Sequence, residues 1–295
     1  MKRFFVFLAV LAFAGTVIAY VTTPDTLDPV KLAGITPDLA LGKQVFAEGG
    51  CASCHSAPKA EGDERLKLGG GRAFPSDFGT FYAPNISPDT QTGIGNWSAI
   101  DLVNAMHYGT SPDNSHYYPV FPYGSFNKAS LKDIVSLYGY LMQLPAVQKQ
   151  NRPHDVNFPF NIRATLGVWK MLFLSNAPVL MAPATPEVRR GQYLVEGLGH
   201  CAECHTPRNF LGGLKRDRWL AGAPNPSGRG TIPNITPAKL KWDKTDIVAY
   251  FTTGLTPEFD SAGGEMAEVI ENLSQLSESD LMAIAAYLKA IPAIK

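Results

Sequence analysis

The sequence predicts a mainly α-helical chain built as two tandem units behind an apolar leader. Three observations predict it: a length of 295 residues, a block of sequence that recurs, and apolar positions repeating at helical spacing. Single domains commonly run to about 100–150 residues, so this chain has room for two cores. Lys plus Arg and Asp plus Glu both number 26. A nucleic-acid partner would require a basic excess, so none is expected.

The leader begins Met1-Lys2-Arg3 and continues without charge from Phe4 to Pro24, its apolar part ending near Val21. A signal peptide needs an apolar core of about 7–15 residues and a spanning helix about 20, and this stretch is closer to the second. The expectation is therefore an N-terminal transmembrane/signal helix over residues 1–24. Val17-Ile18-Ala19 provides a small-residue cleavage site if the chain is released instead. Lys2 and Arg3 place the amino terminus in the cytoplasm, which puts everything after Asp25 outside. For a bacterial inner membrane this means the periplasm, whether or not the leader is cut.

The units are expected at 35–149 and 186–295, with 150–185 between them. Each opens on a short helix, Gly42-Lys43-Gln44-Val45-Phe46 in one and Gly191-Gln192-Tyr193-Leu194-Val195 in the other. Farther on, Pro84-Asn85-Ile86-Ser87-Pro88 matches Pro233-Asn234-Ile235-Thr236-Pro237, and Trp97 with Asp101 matches Trp242 with Asp246. Asn-x-Ser/Thr can mark glycosylation, but its recurrence between prolines argues for a structural loop. Each unit closes on a helix, Ser130 to Pro145 and Ser277 to Pro292. Ser130/Asp133 and Ser277/Asp280 form capping boxes at their starts. Leu137, Tyr140, Leu141 and Leu144 should face inward in the first, and Ile284, Tyr287, Leu288 and Ile291 in the second. Phe158 to Leu174 is apolar but interrupted by Arg163 and Lys170. Each such charge costs about 2.5–3.5 kcal/mol at mid-bilayer, so this segment should pack across the two units, with an interfacial membrane contact as the alternative.

All four cysteines fall in two motifs, Cys51-Ala52-Ser53-Cys54-His55 and Cys201-Ala202-Glu203-Cys204-His205. C-x-x-C-H is the haem attachment signature: two thiols form thioethers with the porphyrin vinyls and the adjacent imidazole ligates iron. A disulfide, a thioredoxin-like pair or a zinc knuckle would have to explain His directly after the second Cys twice. The reading is two covalently bound haem c groups, held by Cys51, Cys54, Cys201 and Cys204, with His55 and His205 as iron ligands.

The opposite face of each iron separates a carrier from an enzyme, because methionine there raises the potential and an open face permits ligand chemistry. In the second unit Met266, after a helix and a Gly-rich loop, is the candidate ligand. Aligning the first unit without a gap from Trp97 puts Phe121 at that place and Met106 opposite Phe251. Phenylalanine cannot ligate iron. Met106 is the first choice for the first haem, His116 the second and His107 the third. Arg72, Trp97, Arg208 and Arg229 are candidate partners for haem propionates.

With these motifs in place, the chain resembles the multihaem cytochrome c subunits of membrane-bound alcohol, gluconate, fructose and aldehyde dehydrogenases, and especially dihaem cytochromes of that superfamily. The carrying segments are FGTFYAPNISPDTQTGIGNWS (78–98), HYYPVFPYGSF (116–126), CAECHTPRNFLGG (201–213) and GGEMAEVIENLSQLSESDLMAIAAYLKAIP (263–292). The resemblance implies class I cytochrome c domains, a dehydrogenase as electron donor, and quinone, a terminal oxidase or a soluble cytochrome as acceptor. It also implies a distal Met in a Tyr-Pro-x-Met-Pro-Tyr loop, from which Phe121 departs. The expected function is therefore electron transfer towards the respiratory chain. The alternatives are a dihaem peroxidase using the first haem as an open or displaceable site, and, more weakly, a haem sensor, which no output domain supports.

Overall fold

In a computed structural model of the chain, residues 3–6, 13, 15–16, 20–226 and 230–295 are described. Half of the expected leader, including Val17-Ile18-Ala19, lies outside them. Among the described residues no helix is long and apolar enough to cross a membrane.

From residue 39 onward the chain is mainly helical, as expected. In the first half α1 (Leu39–Glu48), α2 (Cys51–His55), α3 (Ala99–Tyr108), the short α4 (Tyr123–Phe126) and α5 (Leu131–Leu141) follow in order. In the second half come α7 (Pro186–Tyr193), α8 (Ala202–His205), α9 (Lys244–Thr253), α10 (Glu265–Leu273) and α11 (Glu278–Ala290), and α6 (Thr165–Phe173) lies between. Each half has its own apolar cluster, one around Val45, Val103, Ile134 and Leu141, the other around Val195, Leu220, Ala285 and Tyr287.

In both clusters the opening helix crosses the closing helix at a glycine. A methyl group on Gly42 would lie 2.1 Å from the Ser136 carbonyl oxygen, and one on Gly191 would lie 1.9 Å from that of Ala283. The backbones touch because neither position has a side chain. The expected inward residues of α5 and α11 are buried, except Tyr140, whose half-buried ring packs edge-on against Phe46 at 5.4 Å. The repeat carries one irregularity. Gly191 follows Gly42 by 149 positions and Cys201 follows Cys51 by 150, and the extra residue is absorbed in a π-helical turn at Leu194–Leu198.

The expected capping boxes at Ser130 and Ser277 form by half. Each serine accepts from the backbone N–H three residues on, but the Asp133 carboxylate turns to Tyr193 of the opposite unit, and that of Asp280 to Arg190 of its own unit and Gln44 of the opposite one. Complete boxes stand instead at Ser98/Asp101 and Asp243/Asp246, which start α3 and α9.

Residues 150–185 touch both units. Strand β3 (Asp155–Val156) joins the hairpin of β1 (Ala73–Ser76) and β2 (Gly79–Tyr82), while Trp169 on α6 donates to the Leu211 carbonyl at 2.9 Å. The two charges in the apolar run serve carbonyl groups. Arg163 donates to His116 O at 2.8 Å, and buried Lys170 donates to the Tyr108 and Gly109 oxygens at 2.5 and 2.9 Å, closing the carboxyl end of α3.

Candidate haem sites

Both Cys-x-x-Cys-His turns are entered through a left-handed residue, Gly50 at φ 59° and His200 at φ 38°. Each then packs under the Pro-Asn-Ile loop of its own unit. Gly70 N–H donates to His55 O at 2.7 Å and Gly222 N–H to His205 O at 2.8 Å, which fixes the end of each turn. The loops are held internally as well: Asn85 Oδ1 accepts from Ser87 N and Oγ, and Asn234 Oδ1 from Thr236 N and Oγ1. Asn85 is buried and its amide donates to Val147 O at 2.6 Å, so it is a structural residue and no glycan acceptor.

The imidazoles are oriented alike. His55 Nδ1 lies 2.8 Å from Pro84 O and His205 Nδ1 lies 2.8 Å from Pro233 O. A carbonyl oxygen only accepts, so each Nδ1 carries the proton and each Nε2 keeps its lone pair for a metal. Burial pushes both rings below the ordinary histidine range, which keeps them neutral at pH 7.

None of the four cysteines is in a disulfide. Protein around the sulfurs pushes Cys51 and Cys201 up to about 12, Cys54 to about 11 and Cys204 upward, so before haem is attached the sulfurs are thiols. Among the described residues no three His, Cys, Asp or Glu side chains converge as a zinc knuckle requires. Paired thiols beside an imidazole with a free Nε2 fit covalently held haem. A fully buried Tyr123 hydroxyl without a hydrogen-bond partner adds a donor in the first unit.

On the distal side the ungapped alignment is also a spatial one. Tyr117 N–H donates to Gly109 O at 2.7 Å and Ala262 N–H to Gly254 O at 2.8 Å, with isolated bridges Thr110–His116 and Leu255–Ser261 beside them. Phe121 and Met266 thus leave matching loops at matching positions. Met266 is half-buried at the start of α10 against the second core. Phe121 packs against the first core among the rings of Tyr117, Tyr123 and Phe126, at 6.0, 6.5 and 5.7 Å.

Met106 is buried on α3 in the first core, and Phe251 is buried on α9 in the second. The two histidine candidates have commitments of their own: His116 Nε2 meets Thr22 O at 2.7 Å and His107 Nε2 meets Ala129 O at 2.8 Å. Buried His116 keeps Nδ1 without a partner. Arg72 pairs with Glu268 and Arg208 with Glu203, while Trp97, half-buried against the first core, accepts the Tyr138 hydroxyl on its carbonyl at 2.8 Å. Arg229 lies outside the described residues.

The two attachment turns face each other across a reciprocal interface, which the sequence reading missed. Tyr193 on α7 donates to Asp133 and accepts from Ser130 N at 2.9 Å; its counterpart Gln44 on α1 donates to Asp280 at 3.3 Å. Glu203 accepts from Ser125 Oγ at 3.1 Å, and Ser53, at the same place in the first motif, accepts from Asn272 Nδ2 at 2.6 Å. The His200 ring meets Phe126 edge-on at 5.5 Å, while its counterpart Gly50 lies against Asn272. Contacts that read the same in both directions define a pseudo-twofold interface. The recurrence of Gly42 and Gly191 was the available signal, since it pairs position 44 with 193.

Comparison with known proteins agrees with this geometry. The Cytochrome c family model matches residues 39–145. A protein described as Diheme cytochrome c-type from Cereibacter sphaeroides is 52% identical over 98% of this chain and 97% of its own length. The Fructose dehydrogenase cytochrome subunit of Gluconobacter japonicus is 36% identical over 96% of this chain and 58% of its own length. The Alcohol dehydrogenase (quinone), cytochrome c subunit of Gluconobacter oxydans is 35% identical over 86% and 54%. The chain thus spans little more than half of these two dehydrogenase subunits.

Proposed function

Starting from the fact that the chain belongs to the cytochrome c family as a dihaem electron-transfer protein with two covalently bound haem c groups, we propose that it accepts electrons from a dehydrogenase outside the cytoplasmic membrane and passes them to quinone, a terminal oxidase or a soluble cytochrome. In this reading Cys51 and Cys54 hold one haem and Cys201 and Cys204 the other. His55 and His205 ligate the two irons, Met266 is the distal ligand of the second, and Met106 that of the first. The leader keeps the chain at the bacterial inner membrane with its haem units in the periplasm.

The carrying observation is the pair of histidines, each with Nδ1–H on the carbonyl of a matching proline and each with Nε2 left open. When bound, each haem supplies a one-electron couple. The protein's residues do the rest: the proline carbonyls hold each imidazole in the tautomer that ligates, the two apolar cores exclude water, and the reciprocal interface sets the attachment turns together. Preorganised neutral ligands in a dry site favour the less charged, reduced state and reduce reorganisation.

An optical spectrum and a low-temperature EPR spectrum of the oxidised protein test this, with Met106→Ala and His116→Ala variants beside the wild type. Two low-spin haems, inert to peroxide, are expected, and Met106→Ala should turn one haem high-spin while His116→Ala leaves both low-spin. A high-spin haem that reacts with peroxide in the wild type would overturn the carrier reading in favour of an enzyme.

A further inference from the structure

The segment around α6 is apolar, carries charge of one sign, and lies where the leader joins the folded chain. Residues 157–186 contain no Asp or Glu, and their only charges are Arg163 and Lys170, in a chain of 26 basic and 26 acidic residues. On α6 the buried side is Leu166, Gly167 and Lys170, and the opposite side leaves Val168, Met171 and Leu172 exposed, the last two at 65% and 64%. Phe158 and Phe160 precede it, the first 78% exposed, and Phe210 of the second unit stands 87% exposed. These residues lie on connected surface: Phe160 packs on Phe78 at 4.8 Å, Phe78 covers Gly212, and Trp169 bonds the Leu211 carbonyl. Lys215 and Arg216 also stand near Phe210, while Arg208 is held by Glu203.

The junction with the leader is fixed on this side of the molecule. Thr22 passes directly over Gly167, where an added methyl would lie 2.4 Å from the threonine Cβ. The Thr22 carbonyl meets His116, the Asp25 carbonyl accepts from Thr110 Oγ1 at 2.8 Å, and Leu27 N–H donates to Asn104 at 2.7 Å. The described chain just after the leader, at Thr22, therefore meets the folded surface beside α6.

We propose that the face formed by Phe158, Phe160, Val168, Met171, Leu172 and Phe210 lies in the headgroup region of the membrane that holds the leader, with anionic phospholipid meeting the flanking arginines and lysines. An exposed apolar helix face on a segment whose own charges, over 157–186, are all basic matches a lipid surface. Anchorage alone would let the haem units swing away from the bilayer; this second contact fixes which side of them faces it. The inference rests on the membrane placement of the leader proposed above.

The test uses the full haem-loaded chain, whose four native cysteines are consumed by haem, with single spin labels at Met171→Cys and Leu172→Cys and a control label at exposed Thr245→Cys. In phosphatidylethanolamine–phosphatidylglycerol vesicles, the labels at 171 and 172 should gain collision with oxygen and lose collision with a water-soluble nickel chelate by about tenfold, while the label at 245 keeps its aqueous values. Chain that floats with the vesicles, retains its haem spectrum and still shows aqueous labels at 171 and 172 would overturn the docking face alone. Shielding of those labels from both quenchers would also overturn it, in favour of a protein partner. Chain that fails to float would instead remove the membrane placement on which the proposal stands, and a lost haem spectrum would mark a damaged variant, replaced by labels at Val168→Cys.

Discussion

The two units keep the same attachment side and differ on the distal side. In both, a glycine lets the opening helix touch the closing one, a left-handed residue enters the Cys-x-x-Cys-His turn, and a proline carbonyl holds the histidine Nδ1. On the side proposed as distal, Phe121 stands where the second unit has Met266, and α4 has four residues where α10 has nine. Geometry that several backbone contacts fix together resists change, whereas a ligand on a loop can be exchanged by a single residue. The attachment sides should therefore respond alike to equivalent mutations, and the distal sides should not.

The most severe break of that equivalence is removal of one pair of thiols. Cys51→Ala with Cys54→Ala should leave one covalent haem, as should Cys201→Ala with Cys204→Ala, each visible as the loss of one haem mass from the intact protein. A variant that loses both haems would mean the units mature together. Next come the crossing glycines. Gly42→Ala and Gly191→Ala each drive a methyl into a carbonyl, and each should destabilise the haem-loaded protein by about 3 kcal/mol, read from denaturant unfolding followed at the haem absorbance. Unequal effects, with one variant unperturbed, would show that one helix crossing can open and the other cannot.

The smallest effect lies at the reciprocal interface. Tyr193 makes two hydrogen bonds there, so Tyr193→Phe should cost about 1 kcal/mol. Gln44 reaches Asp280 at 3.3 Å and Arg190 shares that carboxylate, so Gln44→Ala should cost only a few tenths of a kcal/mol, about the value of one weak solvent-accessible contact. A larger loss for Gln44→Ala would reverse the ranking of the two sides.

Much of this was legible in the sequence because it is local. Haem attachment sits in five consecutive residues, the loops in a Pro-Asn-Ile repeat, and the closing helices in apolar spacing with a serine in front. The ungapped register from Trp97 correctly set Phe121 opposite Met266, since both loops have the same length. What stayed hidden depends on residues far away in the sequence, several of them in the other unit. Asp133 and Asp280 read as capping residues because the sequence supplies the intrahelical partner, yet Tyr193 and Arg190 compete for them from more than 50 residues away. His200 could not be singled out either. Its position is defined by Gly50 one repeat earlier, and only the π-helical turn brings the two into register.

The pseudo-twofold interface bears on how such a chain could diverge. Two identical subunits meeting through contacts of this kind would share one coding sequence, so replacing a distal methionine would strip both haems of it at once. Joined in a single chain, the halves inherit separately. One can keep its sulfur while the other gives it up, and the partnership between them survives the loss of symmetry because the contacts holding it are made by residues other than Met266 and Phe121.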